Sequence, residues 1–144
     1  MDFKGAYILI LYLSKDTIIK TKAKEFYLKK GYYAYVGSAM NGMKRVLRHL
    51  KKNKKKHWHI DYLTEVAEIK HIILIPSERK IEKEISLLIS KIGKAIEGFG
   101  ASDLKIKSNL YYFKENPFEK IRETLKENKI NFEIFSPDNA KGRI

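Results

Sequence analysis

Tyrosine, glycine and basic residues follow one another in the stretch GYYAYVGSAMNGMKRVLRHL, residues 31–50. Its tyrosine-rich first part predicts a strand, and apolar residues at helical spacing in its second part predict a helix with a cationic face. A strand that runs through a glycine-containing turn into a helix brings backbone N–H groups, phenol hydroxyls and cations to one place. These groups together can bind a phosphate, so the stretch predicts a phosphate site.

The charge balance indicates an anionic partner. Lys and Arg number 30 against 17 Asp and Glu, a net charge of +13, and such a surface repels itself unless an anion lies nearby. Five lysines fall in the run KKNKKKH, residues 51–57, which we expect to be solvated beside the basic helix. Nucleic acid, DNA or RNA, is the expected partner. The alternative is heat adaptation, which enriches Lys and Glu together and does not by itself leave this imbalance.

The segment HWHIDY holds a second group of side chains that could do chemistry. His57, His59 and Asp61 alternate, so on an extended segment they would face one side, as in half of a zinc-hydrolase site. Such a site needs further ligands, and Asp61 could equally cap the helix that follows. We favour histidines, His49 included, that contact nucleic-acid phosphate or move a proton. Trp58 then packs in the core or stacks on a base.

The composition limits the other classes of protein. A chain of 144 residues fits one compact domain. Because the chain has no cysteine, disulfides, thiolate zinc sites and cysteine nucleophiles are excluded, and a cytoplasmic protein is expected. The run AYILILYL near the start is too short to cross a bilayer and lacks the marks of a signal peptide. We therefore expect a buried strand and no membrane.

Strands and helices in irregular order must position these segments. The patterns predict strands over residues 6–13, 23–28, 32–36, 69–75, 110–113 and 131–135. Helical periodicity and punctuation predict helices over residues 43–50, from HWHIDY to about 67, over 78–92 and over 117–127. The first three strands could form an antiparallel meander. The fold class is therefore α+β, with a central, mainly antiparallel sheet flanked by helices.

Two tripeptides give the chain a resemblance to a known family. GAY at residues 5–7 and YVG at residues 35–37 resemble the two signature tripeptides of the GIY-YIG nuclease superfamily. Ser38, then Arg45 in the following helix, then His49 one turn later continue the family's order of parts. HWHIDY and GFGASD resemble one uncharacterised archaeal and bacterial branch, which occurs alone or fused to glycosylases of the endonuclease III type.

The resemblance covers about residues 5–113, and the chain departs from the branch after GFGASD. Family members carry cysteines and a histidine where this chain has Leu104, Ile106 and Asn109. If those groups bind metal or hold a loop, that role is missing here. Residues 114–144 lie outside the resemblance, and their pattern alone predicts a helix, an edge strand and a polar tail.

The resemblance implies a divalent-metal-dependent endonuclease that hydrolyses phosphodiester bonds in DNA. Tyr7 and Tyr35 would point their hydroxyls into one cleft, where one helps deprotonate a water, provided that a metal or cation lowers its pKa. Arg45 would hold phosphate oxygens. One glutamate would bind Mg²⁺ or Mn²⁺. Two residues apart in a helix, Glu82 and Glu84 point about 200° away from each other, so only one of them can face the cleft. Glu82 is preferred because the family's acidic residue aligns best with the first of the pair.

Besides the metal-binding glutamates, the expected site residues fall into three groups. The catalytic group is Tyr7, Tyr35, Arg45 and His49. The residues expected to contact nucleic acid are Ser38, Lys44, Arg48, Lys52, Lys54, Lys55, Lys56, His57 and His59. Those expected to line the cleft are Gly37, Trp58, Asp61, Gly98, Gly100, Ser102 and Asp103, although the GFGASD glycines could equally form a structural turn.

Two other functions compete with the nuclease. One is a nucleic-acid-binding module of the same fold with little or no turnover, and the other is a zinc hydrolase built on HWHID. Outside the family pattern, strand tyrosines usually pack, a helix arginine is usually a solvated charge, and a first-turn glutamate complements the helix dipole. A role in DNA repair is suggested by the glycosylase fusions alone.

Overall fold

The structure is a computed structural model, and it describes residues 3–100 and 106–136. Its elements in chain order are β1 (Gly5–Leu13), β2 (Thr17–Lys20), β3 (Glu25–Leu28), β4 (Gly31–Ala39), α1 (Lys44–Arg48), α2 (His59–Val66), β5 (Glu68–Pro76), α3 (Glu82–Ser90), β6 (Lys94–Ala95), β7 (Leu110–Phe113), α4 (Phe118–Glu127) and β8 (Glu133–Phe135). In this part of the chain six strands form one sheet in the order β6-β7-β4-β1-β5-β8. All its neighbouring pairs are antiparallel, which confirms the α+β class.

The apolar strand β1 lies at the centre of the sheet, as its sequence predicts. It pairs along its length with β4 on one edge and with β5 on the other. Tyr7 stands opposite Gly37 of β4 and Leu74 of β5. Both edges and both faces of β1 are thus covered, which is why nearly every residue in it is β-branched, aromatic or leucine.

Two layers cover the sheet. Leu9 and Leu11 of β1 pack on one face with residues of α1, α2 and the β2–β3 hairpin. Ile8 and Ile10 pack on the other face with residues of α3 and α4. Because side chains alternate along a strand, neighbouring residues of β4 also belong to opposite layers. The candidate site lies in the first layer.

The expected meander of the first three strands is wrong. Residues 17–20, expected to be a break, form β2, and β2 pairs with β3 in a separate two-stranded hairpin. The hairpin buries Ile19, Phe26 and Leu28 against the first layer. It cannot join the sheet beside β1, because β4 and β5 already occupy both edges of β1.

The other elements differ from expectation mainly at their ends. The strands at 69–75, 110–113 and 131–135 and the helices near 59–67 and 117–127 are confirmed. Helix α1 is shorter than predicted, and α3 begins at Glu82 rather than near residue 78. The short strand β6 was not predicted. Within residues 3–100 and 106–136, no helix has the length and apolar character needed to cross a membrane.

Candidate active site

A polar cleft of about 270 Å³ opens where β4, α1, the start of α2 and the start of α3 meet. It is lined by Tyr35, Arg45, His57, Trp58, His59, Ile60, Lys80, Glu82, Gly100 and Asn109. Five separate segments of the chain therefore contribute predicted site residues to one cavity, since Gly100 of the GFGASD turn also lines it. The cleft combines a phenol, a guanidinium, a carboxylate and imidazoles, a set of groups suited to an anionic substrate.

Tyr7 lies behind the cleft wall rather than in it. Its side chain is fully buried, and its ring centroid lies 6.5 Å from that of Tyr35. The Tyr7 hydroxyl is 2.6 Å from Nε2 of His49, which is also buried. In the described part of the chain, His49 Nδ1 has no hydrogen-bond partner. The predicted pair of tyrosines is therefore split into a cleft residue, Tyr35, and a buried residue paired with histidine.

Burial determines the protonation of this group. It raises the pKa of Tyr7 well above its ordinary value; Tyr35 raises it further, and the Arg45 guanidinium opposes this. Burial likewise raises the pKa of Tyr35, against the effect of Arg45 and with that of Glu82. Burial lowers the pKa of His49 to about 3, so its imidazole is neutral at physiological pH. The neutral imidazole and the neutral phenol share a hydrogen bond, and with these pKa shifts the phenol keeps its proton.

Arg45 reaches the cleft from α1, where its neighbour Val46 anchors the helix in the core. The guanidinium carbon lies 4.4 Å from the centroid of the Trp58 ring, a cation–π contact. Its Nε is buried without a partner, and no carboxylate of the described residues lies within ion-pair distance of it. The guanidinium is thus held in position while its charge is not neutralised.

Glu82 is the glutamate of the cleft. It is the first residue of α3 and lines the cavity, and its Oε2 accepts a hydrogen bond from Asn109 Nδ2. Glu84 instead forms a two-pronged ion pair with Arg79, at 2.7 and 2.8 Å, and does not line the cleft. The preference for Glu82 over Glu84, which came from the family resemblance, thus agrees with the position of each carboxylate.

Asn109 ties the cleft floor to the sheet. Its Nδ2 also donates to the carbonyl of Val36 at 2.9 Å, and its backbone bonds to both Val36 and Phe99. Its Oδ1 is buried and has no partner among the described residues. In the sequence, Asn109 is noted only as one of the positions at which the chain departs from the GIY-YIG branch. It is a cleft residue that the sequence reasoning missed, although the departure itself was the signal that could have found it.

Lys80 is the second cleft residue that was missed. It is exposed just before α3 and lines the cavity near Glu82. No pattern in the sequence marks it, because one lysine among many in a basic chain carries little information. Its position adds a cation to the lining of the cleft.

Asp61 does not line the cleft. Its carboxylate is fully buried and accepts two hydrogen bonds from Arg48, at 2.6 and 2.9 Å. It also accepts from the backbone N–H groups of His57 and Trp58, at 2.7 and 3.0 Å. Burial alone would raise the pKa of Asp61, but these hydrogen bonds outweigh it and lower the pKa to about 2. Asp61 therefore fixes the start of α2 and holds Arg48 as a structural partner.

Arg48 links the buried Asp61 to Trp58, which lines the cleft. Its guanidinium carbon lies 4.7 Å from the Trp58 ring centroid, so that ring contacts the guanidinium groups of both Arg45 and Arg48. Arg48 is therefore committed to Asp61 and Trp58 and does not line the cleft. The alternation of His57, His59 and Asp61 also fails to form a zinc half-site, because a helix begins at His59 and Asp61 is occupied by Arg48.

Three lysines of the basic run brace α2 instead of standing free in solvent. Lys52 Nζ donates to two backbone carbonyls at the end of α2, both at 2.8 Å. Lys54 Nζ donates to Thr64 Oγ1 at 2.9 Å, and Lys56 forms an ion pair with Glu65 at 2.8 Å. The run was expected to be solvated beside the basic helix. It differs because α2 offers backbone and side-chain acceptors to these three lysines.

The remaining predicted cations are exposed. Lys44 and Lys55 form no ion pair in the described part of the chain, so both stay available to an anion. His57 is exposed at the cleft mouth. Ser38 is buried and, by strand alternation, faces the layer opposite Tyr35, so it is not positioned to contact a ligand in the cleft.

His59 and the GFGASD turn form one wall of the cleft. Gly100 N–H donates to His59 Nδ1 at 3.1 Å, which leaves the ring proton on Nε2. The His59 ring also packs on Phe26 of the hairpin and on Phe99, and burial with the charge of Lys24 lowers its pKa. Gly98 does not line the cleft, and Ser102 and Asp103 lie outside the described residues.

Gly37 provides the space for Tyr7. A Cβ at this position would lie 2.4 Å from the Tyr7 ring, closer than packed atoms approach. The glycine of YVG is therefore required for the close approach of the phenol to its neighbouring strand. Its role is to seat Tyr7 rather than to line the cavity.

The oxygen atoms of the cleft suit a hard divalent cation. Mg²⁺ binds through one or two carboxylates and keeps several waters. Glu82 supplies a carboxylate, and Asn109 Oδ1 is a carbonyl oxygen with no hydrogen-bond partner among the described residues. In the same part of the chain no group of three or more His, Cys, Asp or Glu side chains is placed to form a full protein cage. The residues present therefore fit Mg²⁺ or Mn²⁺ better than a structural zinc ion.

Fold and cleft together define an α+β protein with a basic, tyrosine-containing cavity. A family model for DUF123, a domain of unknown function, matches residues 6–130. The chain belongs to this family. Because the match continues to residue 130, it includes α4, which the GIY-YIG resemblance did not cover. No curated protein and no solved structure matches the chain.

Proposed function

We propose that this protein is a divalent-metal-dependent endonuclease of the GIY-YIG type that hydrolyses phosphodiester bonds in DNA. The observation that supports this most is the meeting of Tyr35, Arg45 and Glu82 in one cleft, although α3, which carries Glu82, is far along the chain from β4 and α1. The GAY and YVG tripeptides place their tyrosines on adjacent strands, in agreement with the proposal. A cytoplasmic location belongs to the same proposal.

Arg45 is the phosphate ligand in this mechanism. Its guanidinium is positioned by Trp58 and lacks a carboxylate partner in the described part of the chain, so its charge is available to two phosphate oxygens. As negative charge develops on the phosphoryl group, a preorganised guanidinium stabilises the transition state without reorganisation. Lys80, which also lines the cleft, adds a second cation that stabilises the same negative charge.

Glu82 is the metal ligand, with Asn109 Oδ1 as the neutral oxygen beside it. A bound Mg²⁺ or Mn²⁺ supplies charge neutralisation and lowers the pKa of a water to be used as nucleophile. Asn109 holds the Glu82 carboxylate through its amide N–H. The amide therefore fixes the carboxylate orientation, and a side chain held by a supporting hydrogen bond binds metal more tightly than a free one.

The tyrosines have different tasks. Tyr35 lines the cleft, so its hydroxyl can contact the attacking water or a phosphate oxygen. Tyr7 is a positioning residue, because it is buried and bonded to His49. Since burial raises the pKa of both phenols, neither is ionised at rest. The hydrogen bond of 2.6 Å between the Tyr7 hydroxyl and Nε2 of His49 holds this phenol in place.

The test is cleavage of a panel of duplex, nicked, flapped and abasic DNAs by purified protein with Mg²⁺ or Mn²⁺. Arg45→Ala and Glu82→Gln should each lower the cleavage rate at least 100-fold, the scale seen when one transition-state group is removed. DNA binding should remain within a few-fold. Glu84→Gln is the matched control, because its carboxylate pairs with Arg79 outside the cleft. Absence of cleavage of every DNA by the native protein would reject the nuclease.

A nucleic-acid-binding module without turnover is the second candidate. It is favoured by one observation, the burial that raises the pKa of both tyrosines and so moves them away from the basic form. This module would bind the same DNAs with steep salt dependence. It would show no metal-dependent product, and Glu82→Gln would strengthen binding by removing a negative charge from the cleft.

A further inference from the structure

A second pocket adjoins the cleft on the far side of Trp58. It has a volume of about 210 Å³ and is lined by residues of the β2–β3 turn and the start of α2, including Lys22, Lys56, His57, Trp58 and Tyr62. His57, Trp58 and His59 line both this pocket and the cleft. The two cavities therefore share one wall, which the indole and two imidazoles form.

The charged side chains that line this pocket are two lysines, Lys22 and Lys56. Lys22 is exposed at the tip of the β2–β3 hairpin and forms no ion pair in the described part of the chain. Lys56 lies 5.5 Å from the centroid of the Tyr62 ring and is paired with Glu65. No carboxylate of the described residues lines the pocket. An anion that leaves the cleft past Trp58 thus meets the positive charge of Lys22, which no described carboxylate compensates.

The aromatic groups between the two cavities are held in place. Trp58 is 40% exposed, and its ring contacts the guanidinium groups of Arg45 and Arg48. Asp61 in turn fixes Arg48 and the backbone of Trp58. An aromatic ring that is already ordered loses little conformational entropy when a ligand stacks on it. The exposed indole is therefore a preorganised stacking surface rather than an incompletely buried core residue.

From this arrangement we infer that the second pocket binds an unpaired nucleotide next to the phosphate in the cleft. The substrate of the proposed nuclease, on which this inference rests, is then single-stranded on that side. Cations that follow the backbone and aromatic side chains that stack on bases are how proteins bind single strands. A base inside a duplex is covered on both faces by its neighbours, so it cannot reach an indole placed between two small pockets.

In this arrangement the β2–β3 hairpin serves to hold Lys22 beside the cleft. It is not part of the main sheet, and it holds its basic tip beside the cleft through Phe26, which packs on His59 and Phe99. The apolar residues of the hairpin thus secure the position of Lys22. The pocket is a binding subsite, and no step of the hydrolysis takes place in it.

Trp58 is the only tryptophan in the chain, so its fluorescence reports directly on this location. The experiment titrates the full-length protein, in EDTA to prevent cleavage, with oligo(dT) of 12 nucleotides and with a DNA hairpin duplex of equal phosphate count. We expect oligo(dT) to quench the fluorescence saturably and to bind at least fivefold more tightly than the duplex at 0.1 M salt. Equal affinity and equal quenching for the two DNAs would overturn the inference.

Lys22→Glu and Lys120→Glu form a matched pair, since each reverses the charge of one exposed lysine. Lys120 lies on α4, in the layer on the opposite face of the sheet. Lys22→Glu should weaken oligo(dT) binding at least fivefold and lower the slope of log K against log salt by about 0.7, the value for one phosphate contact on a single strand. Lys120→Glu should change the affinity less than twofold.

Equal effects of the two substitutions would show that only net charge matters and would overturn the subsite. The result also separates this inference from the proposed nuclease. Cleavage of the DNA panel together with equal effects of Lys22→Glu and Lys120→Glu would reject the subsite alone. Selective loss with Lys22→Glu, in a protein that cleaves nothing, would reject the nuclease and keep the single-strand site.

Discussion

At the scale of residues, the Tyr7–His49 pair shows how burial changes the chemistry available to a side chain. Histidine is ordinarily the group that titrates near neutral pH, but burial lowers the pKa of His49 to about 3. Its partner phenol is pushed in the opposite direction, away from ionisation. Both groups are therefore neutral over the working range, and His49 does not serve as a charged contact for a phosphate.

The first prediction concerns the stability that this buried histidine contributes. The unfolded state gains a proton on His49 below a pKa of about 6.5, while the folded state stays neutral down to about 3. The free energy of unfolding should therefore fall as the pH drops through this window, by about 2 kcal/mol for His49 between pH 7 and pH 5. His49→Gln should remove this part of the loss, measured by urea unfolding at both pH values.

Tyr7→Phe is the control for that prediction. It removes the hydroxyl but leaves the ring that buries His49, so the pH dependence of unfolding should stay close to that of the native protein. Burial is the largest cause of the lowered pKa. If His49→Gln and the native protein lose the same free energy between pH 7 and pH 5, His49 is not the buried neutral group described here.

At the scale of elements, the candidate site depends on how α1 is joined to α2. Arg48 of α1 and the fully buried Asp61 of α2 are linked by two hydrogen bonds, at 2.6 and 2.9 Å. The same carboxylate holds the backbone of Trp58, which contacts Arg45. One buried ion pair therefore connects the fold of two short helices to the position of the proposed phosphate ligand.

The second prediction is the cost of breaking this pair. Asp61→Asn keeps an acceptor for the backbone N–H groups but leaves the Arg48 charge uncompensated, so we expect the free energy of unfolding to drop by about 3–5 kcal/mol at pH 7. Because the folded pKa of Asp61 is about 2, its contribution is complete above the unfolded value near 3.8. It is lost as the pH falls from there towards 2.

A double-mutant cycle with Arg48→Met tests the coupling. The double variant should lose less stability than the two single variants added together, because the second substitution removes the unpaired charge. Additive losses would mean that Asp61 acts only through the backbone of His57 and Trp58. Denaturant unfolding monitored by Trp58 fluorescence measures all three variants with the same probe.

Helices and strands were predictable where a long run or a regular spacing of apolar residues marks a buried element. The runs that became β1, β5 and β7 are rich in residues that fit a buried sheet, and their strands follow. The β2–β3 hairpin was predicted only in part, because its strands are four residues long and lysines interrupt its pattern. Its separation from the sheet depends on the pairing of β4 and β5 with β1, which no local pattern contains.

The site was predictable in its parts and not in its arrangement. The family resemblance selected Tyr35, Arg45 and Glu82, and helix geometry allowed only one of Glu82 and Glu84 to face the cleft. Tertiary contacts bury Tyr7 against His49, which lies 42 positions further along the chain. They also pair Asp61 with Arg48, which lies 13 positions before it. No local pattern predicts such contacts. Asn109 entered the sequence argument only as a lost family residue, yet it supports Glu82.

At the scale of the whole molecule, the charge of +13 has a cost and a use. Like charges on a compact surface repel one another and lower the stability of the folded state. The same charges favour association with a polyanion and make it salt-dependent. Several lysines are neutralised internally, as Lys56 is by Glu65, but the excess of cations over carboxylates remains.

The third prediction is that salt stabilises the free protein and that DNA does so more effectively. Between 0.01 and 0.1 M NaCl the Debye length falls from about 30 to about 10 Å, which screens most of the repulsion. The melting temperature should therefore rise over this range. At 0.01 M NaCl, an oligonucleotide in excess over its dissociation constant should raise it further, since a ligand that binds only the folded state stabilises it.

The double variant Lys114→Glu/Lys120→Glu separates the two effects. It lowers the net charge from +13 to +9, since 13 − 4 = 9, with one change just after β7 and one on α4, away from the cleft. Its melting temperature at 0.01 M NaCl should exceed that of the native protein and should respond less to added salt. The oligonucleotide should still raise the melting temperature of this variant, because the cleft and the second pocket, which Lys22 lines, are unchanged. A lost oligonucleotide effect would mean that the whole basic surface, rather than one face of the molecule, binds the polyanion.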